Sequence, residues 1–307
     1  MTSKVSGLLS EGLDPILQHE MIAPSLTKVF PTVLPLITAI NKAHVLMLMH
    51  QGIISAEVAQ QLAAAILELE RLGPGAFTLD PAREEAYFNY EARLIELAGP
   101  DIGGRVHIAR SRNDLYATID RLRTRAVMLG LSRALLELRK ALIEQATQHR
   151  DVLMPGYTHM QPAQPITFGY YLAGVAHALE RDHRRLAECW VRVNLGTLGA
   201  GALAGTSFPI DRAATARALG FDDVAPHAQD CVGSRDYLAE LLGTVALAAT
   251  NALRSTGPGT HSRRPAARLP SQRWSSAQPN RSASGCSTSC AATSRLRPIS
   301  PTPWSAT

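Results

Sequence analysis

Apolar residues recur at helical spacing through most of the first 250 positions. Between Pro31 and Leu72 they fall at Ile37, Ile40 and His44/Val45, then at Val58, Leu62, Ala65/Ile66 and Leu69. This period predicts two helices joined at Gln51-Gly-Ile-Ile-Ser55, with Ser55 as the second N-cap. Glu84 to Leu97 predicts a third helix, closed by Gly99-Pro100. Further on, Leu122, Leu129, Leu136 and Ile143 form one seven-residue stripe, and Leu131, Leu135, Leu138 and Leu142 form a second. A helix that is apolar on two sides must lie between neighbours, in a bundle or at a subunit interface. Leu172, Val175, Ala176, Leu179, Leu186, Trp190 and Val193 keep one face of another long helix. Ser234 is the expected N-cap of a last helix, with Leu238, Leu241, Leu242 and Val245 on one face.

The pattern breaks in three places. Met154 to Pro165 contains Pro155, Gly156, Pro162 and Pro165, which forbid a continuous helix and place Thr158 and His159 on a constrained loop. A loop histidine can cap a helix or satisfy a carbonyl as readily as it can transfer a proton. Gly103 to Asp114 sets Arg105, Arg110 and Arg112 beside His107, Ser111 and Asn113. Such a set suits either carboxylate recognition or a solvated basic turn. Leu198 to Pro209 is glycine-rich, but Gly199, Gly201 and Gly205 are spaced G-x-G-x-x-x-G with no strand pattern before them. The dinucleotide-binding fingerprint is therefore missed, and close backbone packing in a turn is expected.

Composition changes the picture chiefly after Arg254. Ser and Pro fill 19 of the last 54 positions, and 8 Arg stand there without Lys, Asp or Glu. The net charge of +5 thus belongs to the tail, because residues 1 to 253 carry 23 basic and 26 acidic side chains. That distribution argues against nucleic-acid binding. A tail of this composition is expected to be disordered. Two origins fit it: a Ser/Arg-rich tail, or translation of a GC-rich gene in a shifted frame. Cys189, Cys231, Cys286 and Cys290 form no zinc pattern and read as reduced thiols. With no leader at Met1 to Leu17, and Leu241 to Thr250 too short to span a bilayer, the expectation is a soluble, cytoplasmic chain.

Taken together, the motifs resemble the argininosuccinate lyase branch of the fumarase/aspartase superfamily. The resemblance runs through Asn41-Lys-Ala-His44, Gln51 to Ser55, Gly103 to Asp114, Met154 to Gln161 with Ala163 to Pro165, Leu198 to Gly205, and Ser234 to Asp236. It implies an all-α, long-helix bundle with a small N-terminal helical domain, divided here as 1–108, 109–253 and the tail 254–307. It also implies a homotetramer with sites shared between subunits, and a β-elimination releasing fumarate without metal or organic cofactor. By resemblance, His159 transfers a proton, while Ser111, Arg112, Asn113, Thr158 and Gln161 bind substrate. The chain departs from the family at Asn41 (commonly Ser), Tyr87 (His), Ile108-Ala109 (Thr-Gly) and Leu115-Tyr116 (Gln-Val). These departures keep a lyase of a related N-substituted aspartate as an alternative. The family's Gly-Ser-Ser-x-Met-Pro-Gln-Lys-x-Asn loop, with its serine base, is not found in the sequence, and the family pattern breaks near Arg254. That break favours the shifted frame and implies a poorly active, inactive or aggregation-prone chain. A non-catalytic helical scaffold is the reading from a different class.

Overall fold

The computed structural model describes residues 13–159 and 161–256. The last helix runs to Thr256, so residues 254–256 of the tail expected to be disordered are helical, and the expectations for the tail from residue 257 onward lie outside the described residues.

After a short helical lead-in at Pro15–Leu17 and a π-turn at Gln18–Ile22, the chain enters helix α1 (Ala23–His50). It starts before the expected Pro31 and passes through Pro31 and Pro35. Both prolines sit on the exposed face, where carbonyls that lose a partner can turn to water. Burial of Leu26, Phe30, Val33 and Leu34 on the other face outweighs the proline penalty. The stretch Pro15–His50 is long and apolar enough to cross a membrane, and 61% of its most apolar window is buried within the structure. Helix α2 (Ala56–Leu72) begins as expected, with Ser55 accepting from the Val58 amide at 3.4 Å. Helix α3 (Ala86–Ala98) ends at Gly99, whose φ of 82° suits a residue without Cβ. These three helices enclose one core around Ile37, Ile40, Leu62, Ile66, Tyr90 and Leu94, to which Leu115 and Ile119 also belong.

Helix α4 (Arg112–Gln148) is the longest element, and at 1.5 Å per residue its 37 residues span about 55 Å. Its two stripes behave differently. Leu131, Leu135 and Leu142 pack in a second core with Leu179 and Leu186 of helix α5 (Phe168–Val193) and Leu241 of helix α8 (Asp236–Thr256). Leu129, Leu136 and Ile143 of the other stripe are exposed, but Leu122 packs against the first core, and Leu138 of the second stripe is exposed as well. Arg121 ties the three helices together: it donates to the carbonyls of Arg192 (2.7 Å) and Val193 (3.1 Å) and lies 4.3 Å from the Tyr237 ring centroid.

Between α4 and α5 the expected loop is an antiparallel hairpin, β1 (Leu153–Thr158) with β2 (Gln161–Thr167), paired from Leu153↔Thr167 to Thr158↔Gln161. Prolines are tolerated because a two-stranded ribbon has an open edge on each side, and the register slips between Pro155 and Tyr157. Gly169 lets α5 start against the end of α4, since a Cβ there would meet the Ala146 carbonyl at 2.4 Å. Past α5 come a two-residue parallel pair, β3 (Leu195–Gly196) with β4 (Asp223–Val224), and the short helices α6 (Arg212–Ala218) and α7 (Ala228–Gly233). Ser234 is not the cap of α8: it closes α7 and donates to Asp236 at 2.6 Å, while the carbonyl of Arg235 accepts the first α8 bonds. Leu242 is exposed rather than on the packed face of α8.

Candidate functional site

Ser111 opens α4. Its side chain accepts from the Asn113 amide (3.3 Å) and Asp114 returns a bond to the Ser111 amide (3.1 Å), a reciprocal cap that fixes the backbone of the whole Arg110 to Asp114 segment. Asp114 is fully buried and does more than cap. Its other carboxylate oxygen accepts from the amides of Gly199 and Gly201, both at 2.9 Å. The glycine-rich stretch is thus the close-packed turn expected of it, and Gly201 (φ 63°) admits no Cβ because the Gly205 carbonyl would lie 2.5 Å away. Burial raises the Asp114 pKa, against the lowering pull of the three amides and of Arg110.

The clamp sets Arg112 and Asn113 at the surface. Asn113 donates to the Ala202 carbonyl at 3.3 Å. Arg112 lies 3.5 Å from Glu84 and 3.3 Å from Glu85, with Phe88 under its guanidinium. Burial raises the Glu85 pKa, partly offset by Arg112. Beside this arginine a cavity of ≈ 430 Å³ is lined by Ser25, Leu26, Glu84, Glu85 and Tyr116. Sequence reasoning singled out neither Ser25 nor the two glutamates; two acids ahead of a helix look like an ordinary first turn.

Thr158, His159 and Gln161 come together at the tip of the hairpin, all exposed, with Thr158 paired to Gln161 and His159 in the turn at φ 48°. A cavity of ≈ 730 Å³ runs from Thr158 and Gln164 along the Tyr170, His177 and Arg181 face of α5. The two halves of the predicted site are therefore attached at opposite ends of α4, which is 37 residues long, with the hairpin lying along α5 as far as Arg181. Glu84, Ala109 and His159 are the non-glycine residues with positive φ among the described residues, and all three lie in these two groups. Such backbone strain persists where surrounding structure imposes it, which is common at functional sites.

A family model described as Lyase matches residues 25–255. The chain belongs to the lyase family. Among the chain's relatives, argininosuccinate lyase 1 of Shouchella clausii is 45% identical over 208 residues, covering 68% of this chain and 42% of the relative. The argininosuccinate lyase of Methanocorpusculum labreanum is 42% identical over 215 residues, covering 70% and 44%. Among solved structures, EDDS lyase in complex with formate superimposes with a TM-score of 0.68 at 30% identity, over 80% of this chain and 48% of that one. The chain spans under half the length of these relatives. The mostly helical fold expected of the fumarase/aspartase superfamily is thus found, with the hairpin as an addition.

The positions at which the sequence reading found departures from the family pattern gather in one place. Arg110, 8% exposed, donates to Asn41 Oδ1 (2.6 Å) and to the Tyr87 hydroxyl (2.8 Å), and Tyr87 in turn meets His107 Nδ1 at 2.9 Å. Burial pushes the Tyr87 phenol well above its usual range. His44 Nε2 donates to the Ile108 carbonyl at 2.9 Å. The substitutions at Asn41, Tyr87 and Ile108 thus converge on the segment that carries Ser111 to Asn113.

Proposed function

We propose that the chain supplies the N-terminal and central helical parts of an argininosuccinate lyase, dividing as 1–108 and 109–253, with a tail from 254. The reaction is β-elimination of argininosuccinate to arginine and fumarate, a step of arginine biosynthesis in the cytoplasm. The observation that carries this reading is the 45% identity to an argininosuccinate lyase over 208 residues, 68% of this chain.

Abstraction of a weakly acidic Cβ proton leaves a doubly charged aci-carboxylate, so the site must place donors where charge develops and an acid where nitrogen leaves. Ser111, Arg112, Asn113, Thr158 and Gln161 supply the donors, and His159 carries the proton. Arg112 must exchange Glu84 and Glu85 for the substrate carboxylate, a swap of one charge-assisted partner for another. Because the two groups are attached at opposite ends of the 37-residue α4, the Asn113 end of one copy meets the His159 end of another, as in a homotetramer. The exposed Leu129, Leu136 and Ile143 stripe is a fitting surface for that contact.

Fumarate release from argininosuccinate, followed by ultraviolet absorbance, tests the reading. His159→Ala and Asn113→Ala are each expected to lower the rate by about 10²-fold or more, and Arg281→Ala to leave it unchanged. Release unaffected by both site substitutions removes the site assignment. A tetramer that binds no substrate favours the scaffold reading. The second reading is a lyase of a related N-substituted aspartate, to which the 30% identity with EDDS lyase lends only weak support; the same assay distinguishes the two by substrate preference.

A further inference from the structure

Glu84 and Glu85 share one cation between two carboxylates. Arg112 Nη1 lies 3.5 Å from Glu84 and 3.3 Å from Glu85, both longer than the roughly 2.7–2.9 Å of a well-formed charge-assisted bond. The three side chains are partly exposed, between 29% and 38%, so the pairing is loose and readily exchanged. Capping does not explain the acids. Glu85 stands at the N-cap position of α3, yet its side chain makes no capping bond. Besides Arg112 it meets the Tyr116 hydroxyl, and the nearby Glu84 repels it.

Binding of a substrate carboxylate to Arg112 upsets this balance. The guanidinium cannot turn to the substrate and keep both glutamates, so two half-buried carboxylates are left facing each other while a third arrives beside them. Burial already works against charge on Glu85, and Arg112 is the cation that offsets it. An incoming molecule that takes Arg112 must therefore bring positive charge of its own, close to the carboxylate it presents. The ≈ 430 Å³ cavity beside the glutamates adds a second requirement. Met21, Ile22, Leu26 and Val29 line it together with Glu84 and Glu85, which gives an apolar wall behind a negative edge. A methylene chain joined to a cation satisfies both demands.

We propose that Glu84 and Glu85 hold the leaving half of the substrate, an alkyl-guanidinium with its methylene chain in this cavity, and so select an N-substituted aspartate whose substituent is cationic over one whose substituent is acidic. The assignment rests on the lyase reading above. Arg112 passes from the glutamates to the succinyl carboxylate, and the guanidinium takes its place, so every charge keeps a partner through the exchange.

Calorimetric titration of the full chain with fumarate, arginine and argininosuccinate tests this. Glu84→Gln with Glu85→Gln is expected to weaken arginine and argininosuccinate about five- to twentyfold, and to leave fumarate binding as tight or tighter because Arg112 is released. Arg112→Met should do the reverse, weakening fumarate and sparing arginine. Each single glutamine variant should show part of the loss, which keeps the test available if the double variant does not fold. Equal weakening of all three ligands in the glutamine variants would reduce the glutamates to a structural role and overturn the proposal. Arginine affinity unchanged in those variants, with fumarate still dependent on Arg112, would overturn it and leave the lyase reading standing. Failure of the unaltered chain to bind either fumarate or argininosuccinate would remove the lyase reading, and the proposal with it.

Discussion

Ala109 adopts φ 62°, in the left-handed region where a Cβ costs about 1–2 kcal/mol. Glycine is free of that cost, so Ala109→Gly is expected to raise stability by about 1 kcal/mol in denaturant unfolding, less the entropy that glycine returns to the unfolded chain. A loss of stability would show that the Ala109 methyl packs productively. His44 gives a pH signature. Burial, then Arg110, holds its pKa well below the usual imidazole value. Below about pH 6.5 the unfolded chain takes up a proton that the folded chain refuses, so stability present at higher pH is lost as pH falls. The slope attributable to this group approaches about 1.4 kcal/mol per pH unit, and His44→Gln should flatten it in urea titrations between pH 7 and 5. At this scale the sequence was informative where a residue acts on its neighbours: Ser55 and Gly99 do what local capping rules assign them. It was silent where a residue acts at a distance. Nothing near Asp114 announces that its carboxylate belongs to Gly199 and Gly201, and nothing near Asn41 announces Arg110.

Among the elements, the two-sided character of α4 was legible because a seven-residue repeat survives any choice of partner. Which side would face α5 was not, since both stripes are leucine-rich. The hairpin was hidden for a different reason: three prolines and a glycine argue against regular structure, yet a ribbon with two open edges asks little of its N–H groups. Ser234 misled because two helices abut there, and a serine between them fits the end of one as well as the start of the next. Leu186, 1% exposed in the second core, should cost about 2–5 kcal/mol as Leu186→Ala, read from the denaturant midpoint. A cost under 1 kcal/mol would mean that α4, α5 and α8 are not packed as described. Asp182, fully buried, accepts two bonds from Asn251 and one from Arg185. Asp182→Ala should free the end of α8 and raise amide exchange there before the rest of the helix.

For the whole molecule, the exposed stripe and the split site make the same demand. Leu136→Lys, which adds charge to an exposed position of α4, is expected to leave the helical signal of a dilute sample unchanged and to lower the assembled mass measured by analytical ultracentrifugation. An unaltered mass would place the contact between copies on another face. The family and its helical class could be read from motif order, because long motifs survive where individual contacts do not. The distance between the two motif groups could not, since it depends on α4 running unbroken for 37 residues.

The tie between Asp114 and the amides of Gly199 and Gly201 joins positions 85 and 87 residues apart. On a ribosome adding about 5–20 residues per second, the start of α4 emerges roughly 4–17 seconds before the amides that its carboxylate requires. During that interval Asp114 must stay in water, and the first three helices cannot close over it. The amino-terminal core of this chain is therefore made early and finished late, and a nascent chain stalled short of residue 199 should leave Asp114 hydrated and α4 frayed at its first turn.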